Sequence, residues 1–384
     1  MRLRSERIVC PDGTLAGEVV VDDGRIASVV PLPSGAGARA ARRDGELVEL
    51  GDRWLVPGYI DVHVHGGGGA QCNTSHAEEI AEVAHFHARH GTTGLLATTV
   101  AAPMEQLCDA VAAIVRCEAP TLLGAHLEGP FLSREQPGAM DRGTFLEPDL
   151  DQLDRLLAAG AGAIRLMTLA PELPGALELV QQLGRAGVIA SIGHTNATDA
   201  EVREAARAGA SAATHLCNAM PPFHHRQPGP VGAVLDLQEV SCELICDGVH
   251  VDPVALRLFF RAKGALGIRL ITDAIAAAGM PDGDYRLGGR SVTVTGGRAV
   301  LAGGDTIAGS TLTMETAVQN AVRFLGITIE QAVLISSTNS ARLLGLDRHK
   351  GAISVGLDAD LLVLDELLAV EATMVAGRWI AGPP

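Results

Sequence analysis

The hydrophobic rhythm of this chain changes twice and divides it into three stretches. Glu18 to Val30 holds two β-rich runs around Asp23-Gly24, a dipeptide that favours a tight hairpin turn. Ser34 to Gly45 is rich in Gly, Ala and Arg and reads as a loop, after which Glu46 to Leu50 resumes as a strand. The other end behaves alike. Ala359 to Asp365 is a buried-strand run, and Thr373 to Ile380 is a second one, interrupted at Ala376-Gly377. Ends that resemble each other and differ from the middle predict a small β-sandwich domain assembled from residues 1–56 and 347–384.

Residues 57–346 alternate apolar strand-type runs with amphipathic helical stretches. The runs are Tyr59 to His65, Gly91 to Thr99, Leu122 to Glu128, Ala163 to Thr168, Val188 to His194, Ala210 to His215, Cys242 to Cys246 and Ile268 to Asp273. Eight strand–helix units of this size predict an α/β fold of the (β/α)8 TIM-barrel type. A doubly wound open sheet is the alternative, but no GxGxxG turn follows the first strand.

Composition agrees with a packed globular protein. Hydrophobic residues make up 47% and charged residues 20%. Aromatics are only 3%, while small aliphatic residues abound, which suits helices packed on a parallel sheet. A formal net charge of -15 argues against a general nucleic-acid or anionic-membrane surface. An anionic small substrate would need a local cluster of donors. The seven cysteines are odd in number and form no CxxC pair, as expected of reduced thiols. No signal-type segment or membrane span is seen, so a soluble, cytoplasmic protein is expected.

The candidate chemistry begins at Pro57-Gly58-Tyr59-Ile60-Asp61-Val62-His63-Val64-His65, followed by four glycines. Alternate strand residues face one way, so His63 and His65 point together and make half of a divalent metal site. The glycines would let a ligand approach the backbone. A barrel unit takes roughly 30 residues. On that count Glu128 falls on the third strand, His194 on the fifth, His215 on the sixth and Asp273 on the eighth. Each lies at the C-terminal end of its strand, where barrel enzymes keep their chemistry. His126 shares the facing of Glu128 and suits a supporting role. His76, His85, His87 and His90 read as a solvated helix face.

Six further motifs carry a resemblance: HLEGPF from His126, GHTNA from Gly193, THLCNAMPPF from Thr214, DGVHVDP from Asp247, TDA from Thr272 and AGSTLTM from Ala308. In this order they resemble the N-acetylglucosamine-6-phosphate deacetylases of the amidohydrolase superfamily, and they span nearly the whole chain. The resemblance implies a metal-dependent enzyme that releases acetate from N-acetylglucosamine 6-phosphate in amino-sugar catabolism. It implies Glu128, His194 and His215 as metal ligands, with His63 and His65 resembling the pair that some members use for a second ion. Zinc is expected, with Fe²⁺ or Mn²⁺ as alternatives, one or two ions per subunit. Asp273 would act as base and then acid.

The resemblance also implies substrate contacts from Asn218, Ala219, His250 and Leu312. It implies a homodimer in which Arg226 reaches the phosphate across the interface. Met140 stands where the family carries a histidine that touches the sugar, and it has no polar hydrogen to donate. This keeps a different N-acyl amino sugar as the alternative substrate. A non-catalytic sugar-phosphate sensor is disfavoured, because every ligand and the base are present.

Overall fold

A computed structural model of the chain describes residues 1–32 and 45–382. The loop expected from Ser34 lies outside the described residues up to position 44. The centre is a parallel barrel of β1 (Tyr59–Val64), β2 (Thr92–Val100), β3 (Leu122–Glu128), β4 (Ile164–Leu169), β5 (Ile189–Ile192), β6 (Ala212–Ala213), β7 (Ser241–Ile245) and β8 (Ile268–Ile271). The eight pair in chain order from β1 to β8. Every residue of β2 is buried, as a strand with barrel core on one side and helices on the other requires. The helix Met104–Arg116 buries Leu107, Ala110, Val111 and Ile114, the one-sided stripe that faces such a barrel.

The seam between β1 and β8 closes through side chains as well as backbone. Buried Asp61 accepts hydrogen bonds from the Thr272 hydroxyl at 2.6 Å and from the His63 amide at 3.2 Å. Beyond it, the Asp273 amide donates to the His63 carbonyl at 2.9 Å and the His65 amide to the Ala274 carbonyl at 2.8 Å. The seam therefore holds the first histidine pair against the last strand.

Both chain ends build one seven-stranded sheet with a core of its own, including Leu3, Ile8, Val19, Leu55, Leu361 and Met374. Its central strand, Leu47–Pro57, pairs parallel with Arg2–Cys10 and antiparallel with Leu361–Leu364. Only Gly58 separates that strand from β1.

Three features depart from the sequence expectations. An antiparallel meander, Gly283–Leu287, Arg290–Thr295 and Arg298–Leu301, follows β8. Its turns, Gly288-Gly289 and Gly296-Gly297, are hairpin signals that the barrel count passed over. His87 is fully buried instead of solvated, and its Nε2 donates to the Gly66 carbonyl at 2.9 Å. The glycine run serves packing: a Cβ on Gly66 would lie 2.5 Å from the Ala70 carbonyl oxygen and 2.6 Å from the Ala276 nitrogen. Among the described residues no helix is long and apolar enough to cross a membrane, and all seven cysteines are free.

Candidate active site

Five side chains predicted from spacing alone converge at the C-terminal mouth of the barrel. Glu128, the last residue of β3, sits between two histidine pairs. Its Oε1 lies 3.1 Å from His194 Nε2 and 2.8 Å from His215 Nε2, and those two nitrogens are 3.2 Å apart. Its Oε2 lies 3.2 Å from His65 Nε2, which is 3.0 Å from His63 Nε2. All five residues are buried.

The donor set fits a divalent cation. Four-coordinate zinc with bonds of about 2.0–2.1 Å holds its ligand atoms a little over 3 Å apart, close to the spacing of Glu128, His194 and His215. Three histidines use Nδ1 elsewhere, which aims Nε2 inward. His194 Nδ1 bonds the Gln136 carbonyl at 2.9 Å, His65 Nδ1 the Thr98 carbonyl at 3.1 Å, and His63 Nδ1 the Glu243 carboxylate at 3.0 Å. Glu128, His194 and His215 could hold one ion, and His63, His65 and Glu128 a second.

Asp273 completes the cluster, its Oδ1 3.1 Å from His65 Nε2 and 3.5 Å from His63 Nε2. Burial pushes its carboxyl upward, but the His63 charge and the His65 hydrogen bond leave it below the usual carboxylate value. The same contest leaves Glu128 well below its usual value, with His63 and His194 opposing burial. His126 is not a ligand. It bonds the Thr168 hydroxyl at 2.8 Å, and burial followed by the His63 charge holds it well below the usual imidazole range.

Strained backbone marks the same place. His194, His215, Cys217, Ala219 and Asp273 take φ values of 47°, 26°, 77°, 49° and 52°. Non-glycine residues in this region cost about 1–3 kcal/mol each and persist only where their surroundings hold them. Around Asp273 the hold is visible: the Ser310 amide donates to its carbonyl at 2.8 Å. Gly309 (φ +61°) lies so near that a Cβ would be 2.9 Å from the same oxygen. The His194 loop is held by Glu172, which accepts from the Thr195 hydroxyl at 2.5 Å and the Asn196 amide at 2.6 Å.

Above the cluster lies a cavity of about 180 Å³ whose walls include Met140, Asn218, Ala219 and His250. Burial lowers His250, but its 2.7 Å contact with Asp247 outweighs this and raises it above the ordinary imidazole value. Leu312 is buried in the barrel core and does not line the cavity. Arg226 is exposed and donates to His225 Nε2 at 2.8 Å, also away from the cavity.

Sequence reasoning missed Glu243. It lies within β7 and is fully buried, its Oε2 accepting from His63 Nδ1 and, at 3.1 Å, from the His215 amide. A carboxylate inside the apolar run Cys242-Glu243-Leu244-Ile245 was the available signal.

Known proteins show the family of this chain and its fold. The amidohydrolase family matches residues 54–380. An N-acetylglucosamine-6-phosphate deacetylase of Lysinibacillus sphaericus is 40% identical over 370 residues, 94% of this chain and 92% of that protein. An N-acetylgalactosamine-6-phosphate deacetylase of Escherichia coli O157:H7 is 37% identical over 382 residues, 98% of each chain. A mutant N-acetyl-D-glucosamine-6-phosphate deacetylase of Mycobacterium smegmatis, solved with N-acetyl-D-glucosamine-6-phosphate, superposes with a TM-score of 0.93 at 40% identity, covering 99% of each chain. The chain belongs to the amidohydrolase family, in the branch that holds the N-acetylglucosamine-6-phosphate deacetylases.

Proposed function

We propose that this protein hydrolyses N-acetylglucosamine 6-phosphate to glucosamine 6-phosphate and acetate. The observation that carries the reading is Asp273 set beside the Glu128–histidine cluster at the floor of a cavity walled by Asn218, Ala219 and His250. A divalent cation held by Glu128, His194 and His215 would supply Lewis acidity towards both water and the amide carbonyl. Zinc suits this nitrogen–oxygen set, and His63 and His65 give a second ion a place.

The Asp273 carboxylate takes a proton from the attacking water and returns it to the departing nitrogen, which is a poor leaving group until protonated. His250, fixed by Asp247, offers its remaining ring nitrogen to a sugar hydroxyl. Asn218 and Ala219 hold the phosphate end. Among the described residues no lysine or arginine lines the cavity. To meet the phosphate charge we assign Arg226 of the partner subunit in a homodimer, whose planar guanidinium suits two phosphate oxygens. Free thiols and a phosphorylated substrate fit a reducing cytoplasm.

Acetate release from N-acetylglucosamine 6-phosphate and N-acetylgalactosamine 6-phosphate by metal-loaded enzyme tests the reading. Faster turnover of the glucosamine form is expected. Preference for the galactosamine form would transfer the assignment to that sugar, and no turnover of either with metal bound would refute it.

A further inference from the structure

The catalytic cavity has a neighbour. A second space of about 240 Å³ opens beside it, and Val100, Ala139, Met140 and Leu287 line both. These four are apolar, at most 8% exposed, and belong to one side-chain cluster. The far walls come from Ala101, Ala102 and Pro103 after β2, and the outer rim is polar, with Gln106, Asp141, Thr144 and Arg290 also lining the space. None of the five clustered histidine and glutamate ligands lines it.

The barrel fixes which end of a substrate meets this partition. Asn218 and Ala219 follow β6, and β2 lies four strands away in the ring of eight, on the opposite side. With the phosphate end at β6, as proposed above, the rest of the sugar points towards β2. In a hexopyranose, C2 with its amide lies across the ring from C5, which carries C6 and the phosphate. The acyl group therefore faces Val100, Met140 and Leu287. Met140 is unbranched, with three rotatable bonds and a polarizable thioether, so it can swing where a branched side chain would block.

We propose that the second cavity is an acyl pocket gated by Met140, and that the enzyme hydrolyses N-propionyl and N-butyryl glucosamine 6-phosphate as well as the N-acetyl form. The inference rests on the hydrolase reading above. The reaction is unchanged: water cleaves the amide C–N bond, hydroxyl goes to the acyl carbon and a proton to nitrogen, leaving a carboxylate and an amine. Each methylene accepted or refused by an apolar pocket shifts kcat/KM by about 10–200-fold.

The test compares kcat/KM for the three acyl forms in metal-loaded wild type and Ala102→Leu, since Ala102 lines only the second cavity. The wild type should hydrolyse the butyryl form within about tenfold of the acetyl form, and Ala102→Leu should lower that ratio by at least about tenfold with the acetyl rate intact. A larger wild-type deficit, or a ratio that Ala102→Leu leaves alone, overturns the acyl pocket. Turnover of none of the three refutes the hydrolase reading and the pocket with it. Gln106→Trp fills the cavity from its exposed rim and repeats the comparison should Ala102→Leu fail to fold.

Discussion

Glu243 and His63 stand 180 positions apart in the chain and 3.0 Å apart in the barrel, carboxylate oxygen to ring nitrogen. The same oxygen accepts from the His215 amide, so one carboxylate orients histidines of both candidate ion sites. Glu243→Gln keeps an acceptor and the volume but removes the charge. Metal affinity should fall about 10–100-fold, as measured against a chromophoric chelator, with circular dichroism unchanged. Unaltered affinity would reduce Glu243 to a packing group.

Asp273→Asn removes the proposed proton acceptor and leaves the backbone seam with His63 in place. We expect kcat to fall about 10²–10⁴-fold, with KM and bound metal little changed. A variant that keeps most of its kcat would place the base elsewhere.

His87 makes a prediction about stability. Burial holds its folded pKa down at about 4, against an ordinary imidazole value of 6.5. Above pH 6.5 the ring is neutral in folded and unfolded chains alike, and its full contribution is present. As pH falls from 6.5 towards 4 only the unfolded chain takes up the proton, and stability is lost, by about 3 kcal/mol over the window. His87→Gln, which retains a donor for the Gly66 carbonyl, should lose less over that range in urea unfolding. Parallel pH profiles for the two proteins would contradict this.

Arg226→Ala should raise KM by about tenfold or more, since charged hydrogen bonds to phosphate contribute about 1.5–3 kcal/mol. Mixing Arg226→Ala with Asp273→Asn then tests the dimer. A mixed dimer pairs an intact Asp273 with an intact Arg226 from the other subunit, so low-KM activity should return. Mixtures no better than the separate variants would assign Arg226 to its own subunit or to neither.

The eight strands, and the convergence of His63, His65, Glu128, His194 and His215 at one mouth, were legible because a parallel barrel converts sequence spacing into position, about 30 residues to the unit. Glu243 was not, because strand reading favours ends over interiors, and a charged residue inside an apolar run was passed over. His87 failed for the opposite reason. Helix Ala77–Ala88 carries Glu78, Glu79 and Glu82 beside its histidines, and that local polarity hid a face buried against Gly66 and Phe86. The meander after β8 belonged to no barrel unit, so only its glycine pairs could have announced it.

The strand Leu47–Pro57 has a consequence for how the molecule is made. It is flanked by strands from opposite ends of the chain and continues through Gly58 into the segment bearing His63 and His65. During translation that segment emerges early, yet Leu361–Leu364 leaves the ribosome about three hundred residues later, a long wait for a non-local pairing. The β8 seam also comes late. The strand bearing the first two imidazoles can pair early with β2, but its partners on the other side come last. A product ending between Asp273 and Leu361 would carry all the clustered side chains without the strand that flanks Leu47–Pro57.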